Sequence, residues 1–584
     1  MAITNHLNAV FKKDRIDEKF DFFVVTTSEK YIPSGAFIID KPVEQLKAES
    51  VVFDNGRTMF IMFKKNTISR LSLISVLEDE KTTLKQVRAA EIKEYILFRL
   101  FLNSVNNFEC DGLKFNNITG KLFIVIPAWI KKNRSGFKAL NISVDSEMYI
   151  SAEAVGFTNY ALFKDKKKLT NYPKYTFADK NYALKRVLHP EDTTEVFIRK
   201  SLFGKKAEIP YFSFLPKDIH QSKVFFIYKV LDIVGIRYKG LISLSLDEID
   251  IAAKVTDYRD EKFVEKAFAD FNSRETNIVS YVAESEYRDD FQGLVDTLTE
   301  KTKSAISVSS APIQGKNNVV FIHNEEFYSD NHYEDPYKKL RRDAAIQCVT
   351  VEDSVEKIVN DNKSIFNTII KETVIKNDLL LSHRLTLDDW SSFGFSTDWV
   401  FGKEKDGEIV FIIIKPDGQF EVKAKRNDFD SFGDPVLDEC AEYLVMNAGK
   451  EKVIVSDGVG DILVISRTNR MMLPSREVFE LETISRSKSA RDAYLSGVVD
   501  INFFKEKDGS FCYNAGIKGA GMNSALPKAA LLYKVEVIKG KNIMPDILET
   551  MSVSFVKYNM FTVLPYPIKY LNEWLNLSKE YSGK

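Results

Sequence analysis

The sequence predicts a multidomain protein of the α/β class, in which mixed α+β domains precede domains built on alternating strands and helices. At 584 residues the chain is too long for one hydrophobic core, which indicates roughly three to five domains. Hydrophobic residues make up 44% of the sequence and charged residues 28%, with a net charge of -1, values typical of a soluble globular protein. From about residue 275, strand and helix patterns alternate in short units, which favours a parallel sheet covered by helices.

Four domains are expected along the chain. Residues 1–130 are interpreted as an amino-terminal α+β domain, and residues 131–271 as a region that is first rich in strands and then helical. Residues 272–396 and 397–584 are interpreted as two α/β domains. Ligands of open α/β sheets bind beyond the carboxyl ends of the strands, so a ligand site is expected in this second half.

The first half contains strand-like runs, a hairpin and helices. The strand-like runs are Phe20–Thr26, Gly35–Ile39 and Thr58–Lys64. Helical spacing follows at Leu84–Leu102 and returns over most of residues 222–270. Between them, apolar and polar residues alternate in Lys138–Val144 and Met148–Ala152, which predicts a β-hairpin with one buried face.

A basic stretch lies in this half, although the net charge of the whole chain indicates nothing about nucleic acid. Residues 160–206 contain twelve Lys or Arg against five Asp or Glu, with Tyr and Phe between them. Such a stretch is typical of a surface that contacts phosphates, and a solvated charged face is the alternative. The residues assigned to this candidate duplex-binding surface are Lys164, Lys166, Lys167, Lys168, Arg199, Lys200, Lys205 and Lys206.

The alternation that predicts a parallel sheet begins near residue 275. A strand at Asn277–Val282 is followed by a helix with apolar residues on one face, a loop over residues 304–318 and a strand at Val319–His323. The apolar face of the helix comprises Tyr287, Phe291, Leu294, Val295 and Leu298. These elements indicate a sheet with helices on both sides.

The segment Asp335–Val349 has the features of a phosphate pocket. Asp335 is a natural N-cap and Pro336 a natural first helical residue, so a helix is expected to begin here. The i,i+4 spacing of a helix would place Tyr337 and Arg341 on one face, with a hydroxyl and a fixed cation pointing the same way.

Three later residues are expected to complete this pocket. A strand at Ala345–Val351 would carry Gln347 to the carboxyl edge of the sheet, where its amide could bond a phosphate oxygen or a base. Lys371 and Lys376 follow and could close the site. The alternative is that Tyr337 and Gln347 only pack and cap the local structure.

The last domain opens with three strands, predicted at Asp398–Lys403, Glu408–Lys415 and Gln419–Lys425. The dipeptides between them, Asp406-Gly407 and Asp417-Gly418, favour tight hairpin turns. A helix capped by Asp434 and the strand Lys452–Asp457 follow. Three antiparallel strands, a helix and a strand that ends in Asp are the order of a ribonuclease-H-like fold.

These motifs resemble those of the Argonaute/PIWI family over roughly residues 275–584. Tyr337-x-x-x-Arg341, the Gln-Cys-Val of Ala345–Val349, and Asn367–Lys371 with Lys376 are similar, in order, to the Tyr-x-x-x-Lys, Gln-Cys-Val and paired-lysine elements of the family's MID domain. Val453–Val459 is similar to the PIWI strand that ends in Asp-Gly-Val. Phe561–Tyr570 is similar to the family's closing Leu-Pro-x-Pro-x-x-Tyr segment.

The resemblance implies a Rossmann-like MID domain at residues 272–396 that binds the 5′-phosphate of a guide strand, and a ribonuclease-H-like PIWI domain at residues 397–584. The residues implied in guide binding are Tyr337, Arg341, Gln347, Lys371 and Lys376. Arg341 stands where the family has a lysine, and a guanidinium group can still bind phosphate through two parallel hydrogen bonds. Mg²⁺ at the guide 5′-phosphate is the cofactor that the resemblance allows, and no protein-bound metal is expected.

The family's catalytic carboxylates are matched poorly. Two-metal cleavage of a phosphodiester needs several carboxylates that hold two ions about 4 Å apart. Asp457 matches one of them, and Glu404 of Gly402-Lys-Glu404 is the nearest match to another. The last ligand falls near Leu532, which cannot bind a metal. We therefore expect no cleavage activity, with Glu404 and Asp457 as remnants and Asp457 bonded to local amides.

A guide-binding protein that does not cut is expected to act by recruitment. Its expected partners are a DNA or RNA guide, target DNA and a separate helicase–nuclease effector, because no PAZ signature and no fused TIR, SIR2 or nuclease domain is recognisable. The size and the degenerate site most resemble the Argonaute-like component of the DdmDE plasmid-elimination system, and other inactive long Argonautes are competitors. An active guide-directed nuclease and a guide-independent nucleic-acid-binding subunit remain the alternatives.

The cysteines and the amino terminus bear on location. Cys110, Cys348, Cys440 and Cys512 are scattered and form no CxxC pair, which fits a reducing cytoplasm rather than a disulfide framework or a zinc site. Charged residues precede any long apolar stretch, so no signal peptide is expected. No apolar run is long enough to span a bilayer, and no membrane partner is expected.

Overall fold

A computed structural model of the chain shows two compact units. The first consists of Met1–Asp250, Asn469–Val499 and Ala520–Pro527, and the second of Ile251–Thr468, Asp500–Gly519 and Lys528–Lys584. The structure describes residues 2–27, 42–43, 45–54, 57–77, 82–107, 113–163, 166–169, 172–178, 183–187, 195–200, 208–213, 219–255, 263–331, 333–340, 343–352, 363–387, 389–426, 430–447, 452–479, 501–506, 510–514, 530–551 and 563–578. Within these ranges, no helix is long and apolar enough to cross a membrane.

The first unit contains three groups of antiparallel strands and four helices among its described residues. The strands are β1 (Ala2–Phe11), β2 (Phe20–Thr27), β3 (Ser50–Asp54), β4 (Thr58–Lys64), β5 (Thr82–Val87), β6 (Lys114–Ile118), β7 (Lys121–Val125), β8 (Gly136–Val144), β9 (Ile150–Asn159), β10 (Lys174–Phe177), β11 (Leu184–Val187), β12 (Phe197–Ile198) and β13 (Ile242–Ile249). The helices are α1 (Lys13–Lys19), α2 (Arg70–Leu77), α3 (Glu94–Asn103) and α4 (Lys223–Arg237).

Two of these strand groups form complete sheets, with orders β3-β4-β2-β5 and β11-β10-β12-β9-β8-β7-β6. The third group pairs β1 with β13, and Ile3 also pairs with Leu473. The core contains the buried faces of α3 and α4, including Leu97, Phe101, Phe226 and Val230. Burial of such apolar surface supplies most of the driving force for folding.

Several sequence predictions for this unit are confirmed, and two are wrong in part. The strands at Phe20–Thr26 and Thr58–Lys64 and the hairpin of β8 and β9 are present, whereas Gly35–Ile39 lies outside the described residues. The helix expected over Leu84–Leu102 begins only at Glu94, because the preceding residues pair with β2 as β5. Likewise β13 interrupts the helical region predicted for residues 222–270, since its alternating apolar residues pair with β1.

The second unit begins with a domain built on a parallel sheet. Its described elements are β14 (Ala253–Val255), α5 (Phe263–Asn272), β15 (Thr276–Ser280), α6 (Arg288–Lys301), β16 (Ile306–Ser309), β17 (Asn317–Ile322), α7 (Glu325–Asn331), β18 (Ile346–Thr350) and α8 (Lys363–Asn377). The sheet has the order β16-β15-β17-β18, and its neighbouring strands are parallel. The predicted parallel sheet is therefore confirmed, although β16 lies within the stretch that was predicted to be a loop.

The rest of the second unit is arranged around a mainly antiparallel sheet. Its elements are β19 (Trp399–Lys405), β20 (Glu408–Ile414), β21 (Phe420–Arg426), α9 (Pro435–Met446), β22 (Lys452–Ser456), β23 (Ile462–Leu473, which enters the first unit at Asn469), β24 (Ile501–Lys505), β25 (Phe511–Asn514), β26 (Leu531–Lys539), α10 (Met544–Ile547) and α11 (Pro567–Ser578). The strand order is β14-β24-β25-β26-β23-β22-β19-β20-β21. Three antiparallel strands, a helix and a strand that ends before Asp457 occur as predicted.

Local chemistry explains the elements that position the candidate site. The turn between β19 and β20 has positive φ angles at Asp406 (55°) and Gly407 (84°), the backbone that an Asp-Gly hairpin turn requires. The Asp434 carboxylate accepts from the amide of Val436 at 2.9 Å and caps α9. The apolar face of α9 packs on this sheet, whose strand β22 runs antiparallel to β19. The predicted mixed α/β class of the chain is confirmed.

Candidate functional site

The Asp335 segment forms a shorter turn than the sequence predicts. The Asp335 carboxylate accepts from the Tyr337 amide at 2.9 Å, so the cap is present. The turn is a 3₁₀ helix of four residues that ends at Leu340, whose backbone is extended and whose side chain is buried in the core of the parallel sheet. The helix expected from Pro336 is therefore only this short turn, because Leu340 is extended and buried in the core. Arg341 itself lies outside the described residues.

The structure brings two of the five predicted guide-binding residues into direct contact. The Lys376 Nζ donates to the side-chain oxygen of Gln347 at 2.9 Å and to the carbonyl oxygen of Ile346 at 2.6 Å. Burial lowers the pKa of Lys376, since a low-dielectric environment disfavours its charged form, and the nearby Glu573 and Glu372 oppose that shift. This arrangement presents a desolvated ammonium group beside an amide.

The other described members of the set, Lys371 and Tyr337, differ from each other in exposure. Lys371 lies on the same helix as Lys376 but is buried, with 8% of its surface exposed. Positions five residues apart differ by about 140° around an ideal helix, so the two lysines project from different sides. Tyr337 precedes the strand and is exposed. The Gln347–Lys376 pair is thus the structural centre of the candidate site.

The location of this pair within the sheet differs from the prediction. Gln347 is the second residue of β18 and pairs with Val319, near the amino end of the strand and not at its carboxyl edge. The expected edge position is wrong because the Gln-Cys-Val run starts the strand instead of ending it.

The carboxyl edge of the parallel sheet carries a polar cluster that the sequence analysis missed. His323 is buried, and its Nδ1 lies 2.7 Å from a Glu352 oxygen while its Nε2 lies 3.2 Å from a Glu284 oxygen. Its ring stacks on Phe327 at 3.6 Å between centroids. Each of the three polar residues lies at or just after a predicted strand end, which is the signal that could have found them.

The carboxyl-terminal helix packs beside the Lys376 pocket. On α11, the Lys569 Nζ lies 2.9 Å from a Glu573 oxygen and 3.4 Å from a Glu372 oxygen of α8. The next residue, Tyr570, donates its hydroxyl to Asp378 at 2.8 Å. The closing Leu-Pro-x-Pro-x-x-Tyr segment therefore supports α8, the helix that carries Lys376.

The residues around Lys376 do not fit a resident magnesium ion. Mg²⁺ requires oxygen ligands in near-octahedral geometry. The Ile346 and Gln347 oxygens already accept from the Lys376 ammonium group, and the Glu372 and Glu573 carboxylates are paired with Lys569. Within the described ranges, the chain contains no group of three His, Cys, Asp or Glu residues that could hold a metal ion.

The two carboxylates that resemble catalytic residues lie apart. Val400 pairs with Ser456 and Lys403 with Val453, so Glu404 and Asp457 occupy opposite ends of the β19–β22 pair. About five strand positions at about 3.3 Å each separate them by roughly 16 Å, well beyond the span of a two-metal site. The third position, Leu532, is fully buried in β26.

Both carboxylates bond to nearby backbone. One oxygen of Asp457 accepts from the amides of Val459, Gly460 and Asp461 at 3.1 to 3.2 Å. Glu404 accepts from the Gly407 amide at 2.9 Å. Each carboxylate therefore stabilises a turn, because its oxygen accepts hydrogen bonds from backbone N–H groups a few residues further along the chain.

Part of the predicted duplex-binding surface is described, and its cations lie over aromatic rings. Lys166 lies 5.3 Å from the Tyr160 ring, Lys200 lies 5.4 Å from the Tyr172 ring, and Arg199 lies 5.6 Å from Phe123. Lys166, Lys167, Arg199 and Lys200 are exposed. Lys164, Lys205, Lys206 and the side chain of Lys168 lie outside the described residues.

The fold and the site define a multidomain α/β protein. Its second unit contains a domain built on a parallel sheet and a domain built on a mainly antiparallel sheet. No protein-family model matches the sequence, and no curated protein matches it. Its solved structural neighbours include Kluyveromyces polysporus Argonaute with a guide RNA, at 10% identity and a TM-score of 0.44 over 99% of this chain and 93% of that chain.

Two further neighbours are A. aeolicus Argonaute and Drosophila Piwi. The first is 11% identical with a TM-score of 0.36, over 98% of this chain and 97% of that chain. The second is 11% identical with a TM-score of 0.38, over 99% of this chain and 96% of that chain. These likenesses concern the course of the backbone and not the residues of a site.

Proposed function

We propose that this chain is a guide-binding protein of the Argonaute/PIWI type that holds the 5′-phosphate of a guide strand at Lys376 and Gln347 and does not cut nucleic acid itself. In prokaryotic defence, the guide would pair with invading plasmid or phage DNA, and a separate helicase–nuclease would be recruited to it. The observation that carries this proposal is the contact of Lys376 with Gln347, two residues that the sequence places in motifs resembling the family's MID domain.

The chemistry of this contact suits a terminal phosphate. An ammonium group has three N–H donors, and two of those of Lys376 are directed at Ile346 and Gln347. The third can be offered to a phosphate oxygen, while the Gln347 amide supplies N–H donors of its own. A dianionic phosphate would favour the charged lysine that burial disfavours, so phosphate binding and lysine protonation would support each other.

The absence of cleavage is supported by the arrangement of the carboxylates. Metal-assisted hydrolysis requires ligands that converge on two ions about 4 Å apart. Glu404 and Asp457 lie at opposite ends of a strand pair, and both accept from turn amides. A protein with this arrangement would use base pairing for specificity and backbone contacts for affinity. The exposed cations Lys166, Lys167, Arg199 and Lys200 are suited to such contacts.

The test compares oligonucleotides that carry a 5′-phosphate with the same strands carrying a 5′-hydroxyl. The full chain should prefer the phosphate by about 10- to 100-fold, because a hydrogen bond to a charged group contributes about 1.5–3 kcal/mol. Lys376→Gln should reduce this preference to near unity. Lys376→Arg keeps the charge and should restore much of it. Lys415→Gln, an exposed lysine elsewhere in the second unit, is the control and should leave the preference unchanged.

Two outcomes would overturn the proposal. Equal affinity of the unmodified chain for both kinds of strand would favour the guide-independent binding protein. Cutting of a guide-paired target with Mg²⁺ or Mn²⁺, lost in Asp457→Ala, would instead favour the guide-directed nuclease. Sequencing the nucleic acid that co-purifies from the native host would show whether the guide is DNA or RNA.

A further inference from the structure

The second unit contains a large cavity on the face of its antiparallel sheet that packs against α11, and its lining residues differ from those of the Gln347–Lys376 pair. Its volume is about 610 Å³, within the range of roughly 300–1,000 Å³ that small-molecule sites occupy. The walls come from the ends of β19 and β22, from β23 and β26, and from α11. The lining residues of these elements all belong to the second unit, so the cavity is a feature of that unit alone.

The strand register explains why basic side chains meet there. Lys403 pairs with Val453, and Val453 pairs with Ile465, so these three residues form one row across the sheet. Lys405 and Arg467 each lie two positions further along their strands, and side chains two positions apart share a face. Both therefore extend the same face at the end of the sheet. The other face, with Val400 and Ile454, packs on α9.

The charge of the lining is positive. Among the described residues that line the cavity, four are basic (Lys403, Lys405, Lys452 and Arg467) and two are acidic (Glu404 and Asp406). One acid is used locally, since the Glu404 carboxylate accepts from the Gly407 amide at 2.9 Å. The formal balance of +2 follows from four cations and two anions, and such a concave surface attracts anions.

Two of the cations are held by uncharged oxygen atoms. The Lys403 Nζ lies 2.9 Å from the side-chain oxygen of Asn572 on α11. The Lys452 Nζ lies 3.1 Å from the Tyr443 hydroxyl and 3.0 Å from the side-chain oxygen of Asn447. The first contact orients the Lys403 ammonium group beside α11, whereas Lys452, next to Val453 in the strand, directs its ammonium group to the face covered by α9.

The remaining walls can receive an apolar or flat group. Val453, Ile465 and Ile568 contribute aliphatic surface. Tyr533 stacks against Tyr513, with 5.5 Å between centroids and 22° between the ring planes. A ligand with both an anionic group and a planar or apolar part matches this combination, and a nucleotide unit is such a ligand.

We propose that this cavity is a second phosphoryl-binding site, in which Lys405 and Arg467 contact phosphate oxygens and Lys403 adds to the positive field. The phosphoryl group belongs either to the backbone of a bound strand or to a free nucleotide. The site binds without a metal ion, because its cations are side chains. The proposal stands on the cavity and does not depend on recognition of a 5′-phosphate at Lys376.

The test uses single strands with a 5′-hydroxyl end, which removes any contribution of a terminal phosphate. Affinity is measured for the full chain as a function of salt concentration. Each phosphate contact contributes about 0.7 to the slope of log K against log salt for single strands. The double variant Lys405→Gln/Arg467→Gln should therefore lower the slope by about 1.4. The matched control is Lys423→Gln/Lys425→Gln on β21, which should leave the slope unchanged.

A second arm distinguishes the two sources of phosphate. Adenosine monophosphate is titrated calorimetrically into the full chain and into the double variant. Binding to the full chain that is lost in the variant assigns the site to free nucleotides. A lower salt slope in the variant without nucleotide binding assigns it to the strand backbone. If neither the slope nor nucleotide binding differs between the full chain and the variant, the proposal is wrong.

Folding and the 5′-end site are checked in parallel. Arg467 is exposed and Lys405 half-buried, so both glutamine substitutions should be tolerated, and equal thermal midpoints would verify this. Arg467→Glu alone is the second variant and should weaken strand binding more than Arg467→Gln. The preference for 5′-phosphate over 5′-hydroxyl strands should be the same in the double variant and the unmodified chain. If the proposed guide function fails, the unmodified chain shows no preference for 5′-phosphate strands. If the cavity proposal fails, the double variant keeps the salt slope of the unmodified chain.

Discussion

Replacing Asp378 with asparagine should change the way in which the stability of the second unit depends on pH. Asp378 follows α8 and is buried, with 1% of its surface exposed. Its carboxylate accepts from the Thr386 amide at 3.0 Å, the Ser382 hydroxyl at 2.9 Å and the Tyr570 hydroxyl at 2.8 Å. Burial raises the pKa of Asp378 to about 7, although these hydrogen bonds oppose the shift.

The sign of the effect follows from the proton balance. Below about pH 4 the Asp378 carboxyl group is protonated in both the folded and the unfolded chain. Between its ordinary pKa of 3.8 and about 7 it is ionised only in the unfolded chain, so the free energy of unfolding falls as the pH rises. At about 1.4 kcal/mol per pH unit the total loss approaches about 4 kcal/mol, of which about 2 kcal/mol falls between pH 5 and pH 7.

Asp378→Asn removes the titrating group and should remove this loss. At pH 5 the variant should be less stable by about 1–2 kcal/mol, because the asparagine NH₂ group only donates and replaces the oxygen of a protonated carboxyl group, which can also accept. Between pH 5 and pH 8 it should gain about 3 kcal/mol relative to the unmodified chain. The assay is urea unfolding at both pH values, followed by pulsed hydrogen exchange of the α8 and α11 amides so that the local unit is measured.

Thr386→Val supplies the control. It removes a hydroxyl that lies 2.9 Å from both Asp378 oxygens and should cost about 1 kcal/mol. That loss should be larger at pH 8 than at pH 5, because the hydroxyl also stabilises the ionised carboxylate, and stability should still fall as the pH rises since the buried carboxyl group remains. The reasoning is refuted if Asp378→Asn shows the same dependence on pH as the unmodified chain.

Substitutions at three further positions test the sheet, one of its turns and helix α4 by thermal unfolding. Asp457→Ala leaves three backbone amides without their acceptor and should destabilise the second unit by about 1–3 kcal/mol, whereas Asp457→Asn keeps an acceptor and should cost less. Gly402→Ala would place a methyl group 2.4 Å from the Phe411 ring and should lower the free energy of unfolding by about 1–3 kcal/mol. A smaller decrease would contradict this close packing of Gly402 against Phe411. Gly235→Ala on α4 meets nothing within 4 Å and should stabilise by about 0.5–1 kcal/mol.

The sequence predicted the features that local chemistry determines. Turn dipeptides such as Asp406-Gly407 specify a backbone geometry by themselves, and alternation of strands with helices predicted the parallel sheet. It did not predict β5 or β13, because their backbone partners lie on distant strands. The extent of the Asp335 turn was also missed, since burial of Leu340 ends it.

The candidate site, like the fold, could be predicted from the sequence only in part. The order of the motifs predicted that Gln347 and Lys376 belong to one site, and the structure shows a hydrogen bond between them. The cluster of His323 with Glu284 and Glu352 was missed, although each of these residues lies at or just after a predicted strand end. The pair of Asp378 with Tyr570 joins segments whose spacing in the sequence carries no signal, so it could not be derived without the packing of those segments.

The direction of β22 explains both why Glu404 and Asp457 are far apart and why basic residues lie together at the cavity. Because this strand runs antiparallel to β19, Lys403, Lys405 and Lys452 gather at one end of the pair, while Asp457 lies at the other. A metal site for hydrolysis must both neutralise the phosphate and activate a water molecule. Lysine and arginine can do the first, since they carry the charge, but they do not lower the pKa of a bound water as a metal ion does. A phosphodiester held at the basic end would be bound firmly and left intact, as a protein that leaves cutting to a partner requires.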